Sequence, residues 1–548
     1  MGSLRCFCTV SIFTLFLVNF TWYPVRKNRA YTEIINSLKE EPSMKRVRKL
    51  SPVMVLAGIS LLVFLSCSQG LLSTDVQDSQ DKTDGGERAI VTLAITSISP
   101  ANSSTNISIA ESLAISCNTT VDSSSINTIQ ITLTDNLGKN YEGRTTVDST
   151  KTKILFTPIF KAIPTGSGAE ATILFSGPKQ ASTYTYSISG YLKATNGNTL
   201  SMNHSISYTT SNLDFGIWWF NEHGEAEKFI AGKPNSNYDP QKQTVLFVHG
   251  WEKDSVTNNY WRESPYFWNN KYVSNLNLGA IWKQKGYNIG AFYWNQFADE
   301  GEVKDAEAKV WKGNNGLKNM RYKLSNGTYV SYSTTKSITD LFYDDYLAAL
   351  QNNTSGNIRI VGHSLGNQLA TSVAYKLGLA IKKGSLPSYY MPSRIALNDA
   401  FWSTGNKSYL SNKWTGAEAR TQVDYLIKNF GVVVEQSKSS ALGGLLVGDD
   451  NVDMRKKTAF YRIWPEFMPL KDSAFQHGYA NLWYFWSIGG SIQTENGDLG
   501  AAASNASIAS MMNYGKSTLF QWYNTGTGNN TASPLDDTFI RKSGVSTW

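Results

Sequence analysis

The stretch IRIVGHSLGNQLATSVAYKLG, residues 358–378, constrains this chain more than any other. A β-branched apolar run passes within a few residues into an alanine-bearing helical segment, and Gly362 and Gly366 bracket the serine at the passage, Ser364. A backbone bent this sharply brings flanking Cβ atoms into collision, so glycine is favoured two positions to either side. The bend lifts the serine above the sheet edge and lays a helix N-terminus beneath it.

The surroundings extend this pattern. TVLFVHGW (244–251) and NIGAFYW (288–294) are further apolar strands, and SITDLFYDDYLAAL (337–350) places Ile338, Phe342, Tyr346 and Ala349 near one helical face. Strands alternating with helices from residue 212 onward predict an α/β domain over 212–548, built on a mostly parallel sheet with flanking helices. Residues 90–211 read differently. IVTLAITSI, SLAISC, TIQITLTD, KILFTPI, ATILFS, TYTYSISGYL and HSISYTT are short β runs separated by turns such as SPANSST and DNLGKN. They predict an all-β sandwich, and the segment resembles bacterial Ig-like domains of envelope proteins. Such a module serves as a spacer or as an adhesion or carbohydrate-binding unit; Cys117, inside one of its runs, reads as a small buried hydrophobe.

A serine hydroxyl needs a base to act as a nucleophile. Of the five histidines only His477 follows Ser364, and His363 beside the serine is expected to point away from it. AFYRIW (459–464) supplies the strand before His477, which is expected in the following loop. The acid belongs at a strand end between the two: Asp399 after RIALN, or Glu435 after VVV, whereas Asp449, Asp450 and Asp453 look solvated. Developing negative charge on a substrate oxygen calls for two backbone N–H donors, here Leu365 and Trp251, with Gly250 allowing close approach and His249 acting as an orienting hydrogen-bonder.

With VLFVHGW, GHSLG, a strand-end aspartate and a late histidine in order, residues 212 to about 488 resemble the α/β-hydrolases of the lipase–esterase kind, in particular the pancreatic-type lipases. That resemblance implies hydrolysis of carboxylic esters, lipids among them, through an acyl-enzyme: Ser364 as nucleophile, His477 as base and then acid, Asp399 as orienter, Trp251 and Leu365 as oxyanion donors. No cofactor or metal is implied. Asn398-Asp399-Ala400 departs from the usual Leu-Asp-Pro, Asn367 stands where Ala or Gly is commoner, and 296–335 is an insertion. SALGGLLVGDD (440–450) and NASIASMMNYG (505–515) are candidate lids. Rival readings are an acyltransferase or thioesterase using the same triad, and a non-enzymatic surface adhesin on a hydrolase scaffold.

Composition narrows the setting. The formal charge is +8, but residues 1–66 hold nine Lys and Arg against three Asp and Glu, which leaves +2 for the rest, so nucleic-acid binding lacks electrostatic support. MKRVRKLSPVMVLAGISLLVFLSC (44–67) has a basic start, a short apolar run and a cysteine, and resembles a bacterial lipoprotein signal with Cys67 acylated. The expectation is an acyl-anchored protein of the bacterial cell envelope, at the outer membrane or surface. Residues 1–43 then read as a mis-called extension, 44–66 as the signal peptide and 67–89 as a solvated tether.

Overall fold

A computed structural model describes residues 91–166, 171–314, 317–442, 448–514, 520–525 and 529–543. The proposed extension, signal, Cys67 and the whole of the tether lie outside the described residues.

Period-two burial drives the N-terminal part: Leu113, Ile115 and Cys117 are inward on one strand, as are Tyr184, Tyr186 and Ile188 on another. A four-stranded sheet (Ile95–Ser99, Leu113–Cys117, Lys153–Pro158, Gly143–Val147 in spatial order) faces a five-stranded one containing Ile129–Asp135, Thr183–Lys193 and Thr199–Thr210. Their inner faces share one core, in which Tyr186 stacks on Tyr208 with centroids 5.4 Å apart. One expected member is elsewhere. ATILFS forms the strand Thr172–Phe175, which pairs with Phe160–Pro164 and, through it, with Glu225–Lys228 of the large sheet. The reason is aromatic packing: Phe160 and Phe175 lie 4.9 and 4.7 Å from Trp218, contacts that a place in the sandwich would forfeit.

Among the described residues the large sheet has thirteen strands. Its centre is seven parallel strands: β1 (Gln243–Val248), β2 (Tyr287–Tyr293), β3 (Ile358–His363), β4 (Arg394–Asn398), β5 (Val433–Lys438), β6 (Ala459–Arg462) and β7 (Phe520–Thr525), in the order 2-1-3-4-5-6-7. The expectation of a mostly parallel sheet is therefore corrected to a mixed one, because antiparallel strands extend it on both flanks, beginning with Gly216–Phe220 beside β2 and Thr538–Ser543 beside β7. β6 is also not the last parallel strand; β7 follows from the tail.

Alternate residues of β1 feed two cores, Val245 and Phe247 on one face, Leu246 and Val248 on the other. The second face is covered by α1 (Ile338–Ala349), α2 (Gly366–Lys382) and α3 (Thr415–Phe430), the first by α4 (Ser473–Trp486) and α5 (Asn505–Tyr514). α5 is the segment read as a possible lid. It turns Ile508, Met511 and Met512 into the core, and the Val434 N–H donates to Met512 Sδ at 3.2 Å, so it is a structural helix. Among the described residues no helix is long and apolar enough to cross a membrane.

Candidate active site

The chain runs up β1, crosses to β2 on one side and returns to β3 on the other, so the strand order reverses between β1 and β3. Loops diverge at such a point, and the crevice beyond the strand ends is where open α/β sheets gather function. Ser364 follows the end of β3 at φ +53°, a left-handed backbone that a serine adopts only when its surroundings impose it. Both flanking glycines are required by contact. A Cβ at Gly362 would lie 2.7 Å from Asn367 Cα, and one at Gly366 would strike the carbonyls of Val248 and His249. Asn367 Nδ2 donates to the carbonyls of Ser364 (3.0 Å) and Asn398 (2.9 Å), which ties the bend to the end of β4.

Gly250 closes the crevice from β1. A Cβ there would sit 2.9 Å from Ser364 Cβ and 3.2 Å from the Leu365 nitrogen, so glycine alone keeps room beside that amide. The loop carrying Gly250 is held from several sides. The Trp294 N–H donates to His249 Nε2 at 2.9 Å and its indole to the His249 carbonyl at 3.0 Å. His249 Nδ1–H faces the Gly250 carbonyl at 3.0 Å. An imidazole that accepts at one nitrogen is neutral, and burial pushes the His249 pKa down to about 3. The Trp251 indole donates to the Glu300 carbonyl (2.8 Å), and Asp299 accepts from the amides of Asp254 (2.7 Å) and Val256 (3.0 Å). Asp299 and Glu300 belong to the insertion. Lys323 holds Asp299 at 2.8 Å, while Lys309, itself fully buried, pairs with Glu300 at 2.6 Å.

His477 arrives from α4, within its first turns, and not from a loop as the sequence suggested. A helical turn places the ring more rigidly than a loop does. Its Nδ1–H donates to Asp399 Oδ2 at 2.8 Å, and its ring centroid lies 4.5 Å from that of His363, the residue preceding Ser364. Asp399 directly follows β4, fully buried, with φ +35° and its N–H on the Ser437 carbonyl at 2.9 Å. Ser440, just beyond β5, donates to the same carboxylate oxygen as His477. Glu435 lies within β5 and is engaged otherwise: Arg394 Nε donates to it at 2.6 Å and the Tyr461 hydroxyl at 3.3 Å. Asp450, expected to be solvated, is bound by the buried cations Lys438 (2.5 Å) and Arg455. Residues 443–447, the apolar middle of the other lid candidate, lie outside the described residues.

Sequence reasoning missed Ser440, Trp294 and the anchors in the insertion, and it noted Asn367 without assigning it a role. Only their contacts give them away; a serine more than seventy residues from the nucleophile carries no local signal.

A sharp strand–serine–helix bend at a switch point, a buried aspartate–histidine pair whose ring packs against the residue before the serine, and an amide given room by Gly250 come together at the ends of β1, β3 and β4. No family model matches the sequence, and no curated protein does either. Among solved structures the chain is similar to an acylaminoacyl peptidase of Pyrococcus horikoshii (11% identity over 73% of this chain and 55% of that one, TM-score 0.26). It is also similar to a rice-cell-wall-degrading esterase of Xanthomonas oryzae (9%, 41% and 44%, TM-score 0.16) and to the surface-layer protein SbsC (15%, 24% and 16%, TM-score 0.16). The chain thus spans less than two thirds of each. At this distance the likenesses bear on neither substrate nor mechanism.

Proposed function

We propose that this protein is a serine hydrolase of carboxylic esters, working through an acyl-enzyme on Ser364. The observation that carries the reading is the 2.8 Å hydrogen bond from His477 Nδ1 to buried Asp399, made by a ring that lies against the residue next to Ser364. With Nδ1 committed to the carboxylate, the lone pair of Nε2 is the base. Ser364 Oγ attacks the ester carbonyl as its proton passes to His477 Nε2. The carbonyl oxygen gains charge facing the Leu365 and Trp251 amides, and on collapse the alcohol leaves with the proton from His477. Water then repeats the sequence on the acyl-serine, returning the acid and the free hydroxyl. Asp399 orients the ring and stabilises its cation without taking the proton.

Lipid esters are the substrate class in this proposal. Acyl chains on Cys67, with each buried methylene worth about 0.8 kcal/mol, would keep the domain at an envelope membrane where such esters concentrate, and the sandwich, read as Ig-like, would serve as the spacer. Rapid mixing with p-nitrophenyl acetate tests the chemistry: a burst of one nitrophenol per chain is expected, lost in Ser364→Ala. Steady-state release without a burst in wild type and undiminished in Ser364→Ala would refute it. Release of fatty acid from phospholipid vesicles tests the substrate class separately.

A further inference from the structure

His363 and Glu263 form a second buried carboxylate–histidine pair behind the first. The His363 ring is fully buried and Glu263 is 2% exposed. His363 Nε2 lies 3.2 Å from the His477 carbonyl oxygen, and Nδ1 lies 2.8 Å from Glu263 Oε1. A carbonyl oxygen only accepts, so Nε2 carries a hydrogen. In a neutral ring an unprotonated Nδ1 would then lie 2.8 Å from an ionised carboxylate oxygen, off the line of a hydrogen bond, a close contact of two acceptors in a site without water's dielectric. That arrangement is avoided when the pair holds one proton more than a neutral histidine and an ionised glutamate do.

The carboxylate has little freedom to turn away. Asn481 Nδ2 donates to Glu263 Oε1 at 2.6 Å, Asn398 Nδ2 donates to Asn481 Oδ1 at 2.9 Å, and Ser437 Oγ donates to Asn398 Oδ1 at 3.1 Å. This chain of side chains links the short edge strand Arg262–Glu263, α4, β4 and β5, the elements that also carry His477 and Asp399.

We propose that His363 is a permanently protonated positioning residue: an imidazolium, neutralised by Glu263, that pins the His477 backbone and sets a fixed positive charge beside the His477 ring. Two rings 4.5 Å apart do not both carry a positive charge at small cost. A fixed charge on His363 therefore opposes a second positive charge on the neighbouring His477 ring. The charged and titratable groups around the pair are Glu263 and Arg262 on the edge strand, His477 on α4, Asp399 after β4, and His249 with Glu252 in the loop after β1. His249 is the complement of His363: it accepts from the Trp294 amide and is neutral, so the two histidines bordering the crevice hold opposite charge states.

The catalytic consequence rests on the proposed function; the proton itself does not, and the experiment separates them. In protein labelled with 15N-histidine, with His363→Gln used for assignment, both His363 ring nitrogens are expected to stay protonated from pH 6 to pH 9. In Glu263→Gln one of them should lose its proton below pH 8. An unprotonated Nδ1 on His363 in wild type at pH 7.5 would overturn the proposal, whether or not the variant folds. In ester hydrolysis the acidic limb of kcat/KM should move up by about one pH unit in Glu263→Gln. An unmoved limb with kcat lowered throughout would assign Glu263 and His363 a structural role only. Absence of any ester turnover, with the spectra as expected, would refute the proposed function and leave the imidazolium standing.

Discussion

Ser364 and Asp399 are both held at positive φ, +53° and +35°, and both stand one residue past the end of a parallel strand. The strain is local and is imposed by the packing around each residue. Asp399→Asn keeps the shape but favours the wrong tautomer of His477, so kcat for a p-nitrophenyl ester should fall by roughly 10⁴-fold. Glu435→Gln should behave oppositely. It leaves the fully buried Arg394 without its counter-charge, which costs about 3–5 kcal/mol of stability measured by urea unfolding, while the folded fraction retains its kcat. Both residues close apolar runs, which is why sequence alone left two candidates. What separates them is position along the pleat: Glu435 is inside β5, registered opposite Ala396 of β4 and Ala459 of β6, and only Asp399 is beyond its strand. His249 adds a pH dependence. The folded chain refuses a proton until about pH 3, whereas an unfolded histidine accepts one below about 6.5, so its neutral burial favours folding fully above 6.5 and penalises it progressively as pH falls towards 3. Between pH 7 and 5 this residue should account for about 2 kcal/mol of lost stability, a loss that His249→Gln should lack in paired urea titrations.

At the scale of elements, the insertion 296–335 is the part that sequence read least well. It contains Asp299, Glu300, Lys309, Arg321 and Lys323, a charge-rich stretch that pattern reading would place in solvent. In the fold these groups neutralise one another beneath the loop 249–256, and the Glu300 carbonyl holds the Trp251 indole. The strand–glycine–helix corner was legible because steric need restricts its residue types; a buried ion cluster was not, because each member is ordinary by itself. Glu300→Gln leaves Lys309 buried against a neutral amide and should cost about 3 kcal/mol or more in unfolding free energy. If the insertion also sets the loop proposed to hold the oxyanion, the folded variant should lose kcat more than it gains KM. A wild-type melting curve and wild-type kcat would show the insertion to be peripheral.

Across the whole molecule, the sandwich and the large sheet are not successive beads. The strands Phe160–Pro164 and Thr172–Phe175 lie between sandwich strands in sequence but extend the large sheet, and Phe160, Ile173 and Phe175 join the core that contains Trp218, Phe220 and Tyr293. Alternation of apolar and polar residues marked these as strands without telling which sheet they would join, since both sheets present the same pleated edge. A chain beginning at Asn212 would expose the Trp218 face that these residues cover. Each large apolar side chain left uncovered is worth about 1.5–3 kcal/mol, so this shortened chain should aggregate or melt well below the full protein in calorimetry. Equal melting temperatures would show the two parts to be independent.

The proposed chemistry depends on one activated hydroxyl, and covalent labelling reads it directly. A fluorophosphonate reacted with the folded protein and mapped by peptide mass spectrometry should modify Ser364 alone, with labelling abolished in Ser364→Ala and strongly slowed in His477→Ala. A folded wild-type protein that takes no label, or takes it on another serine at the same rate in all three proteins, would contradict the account.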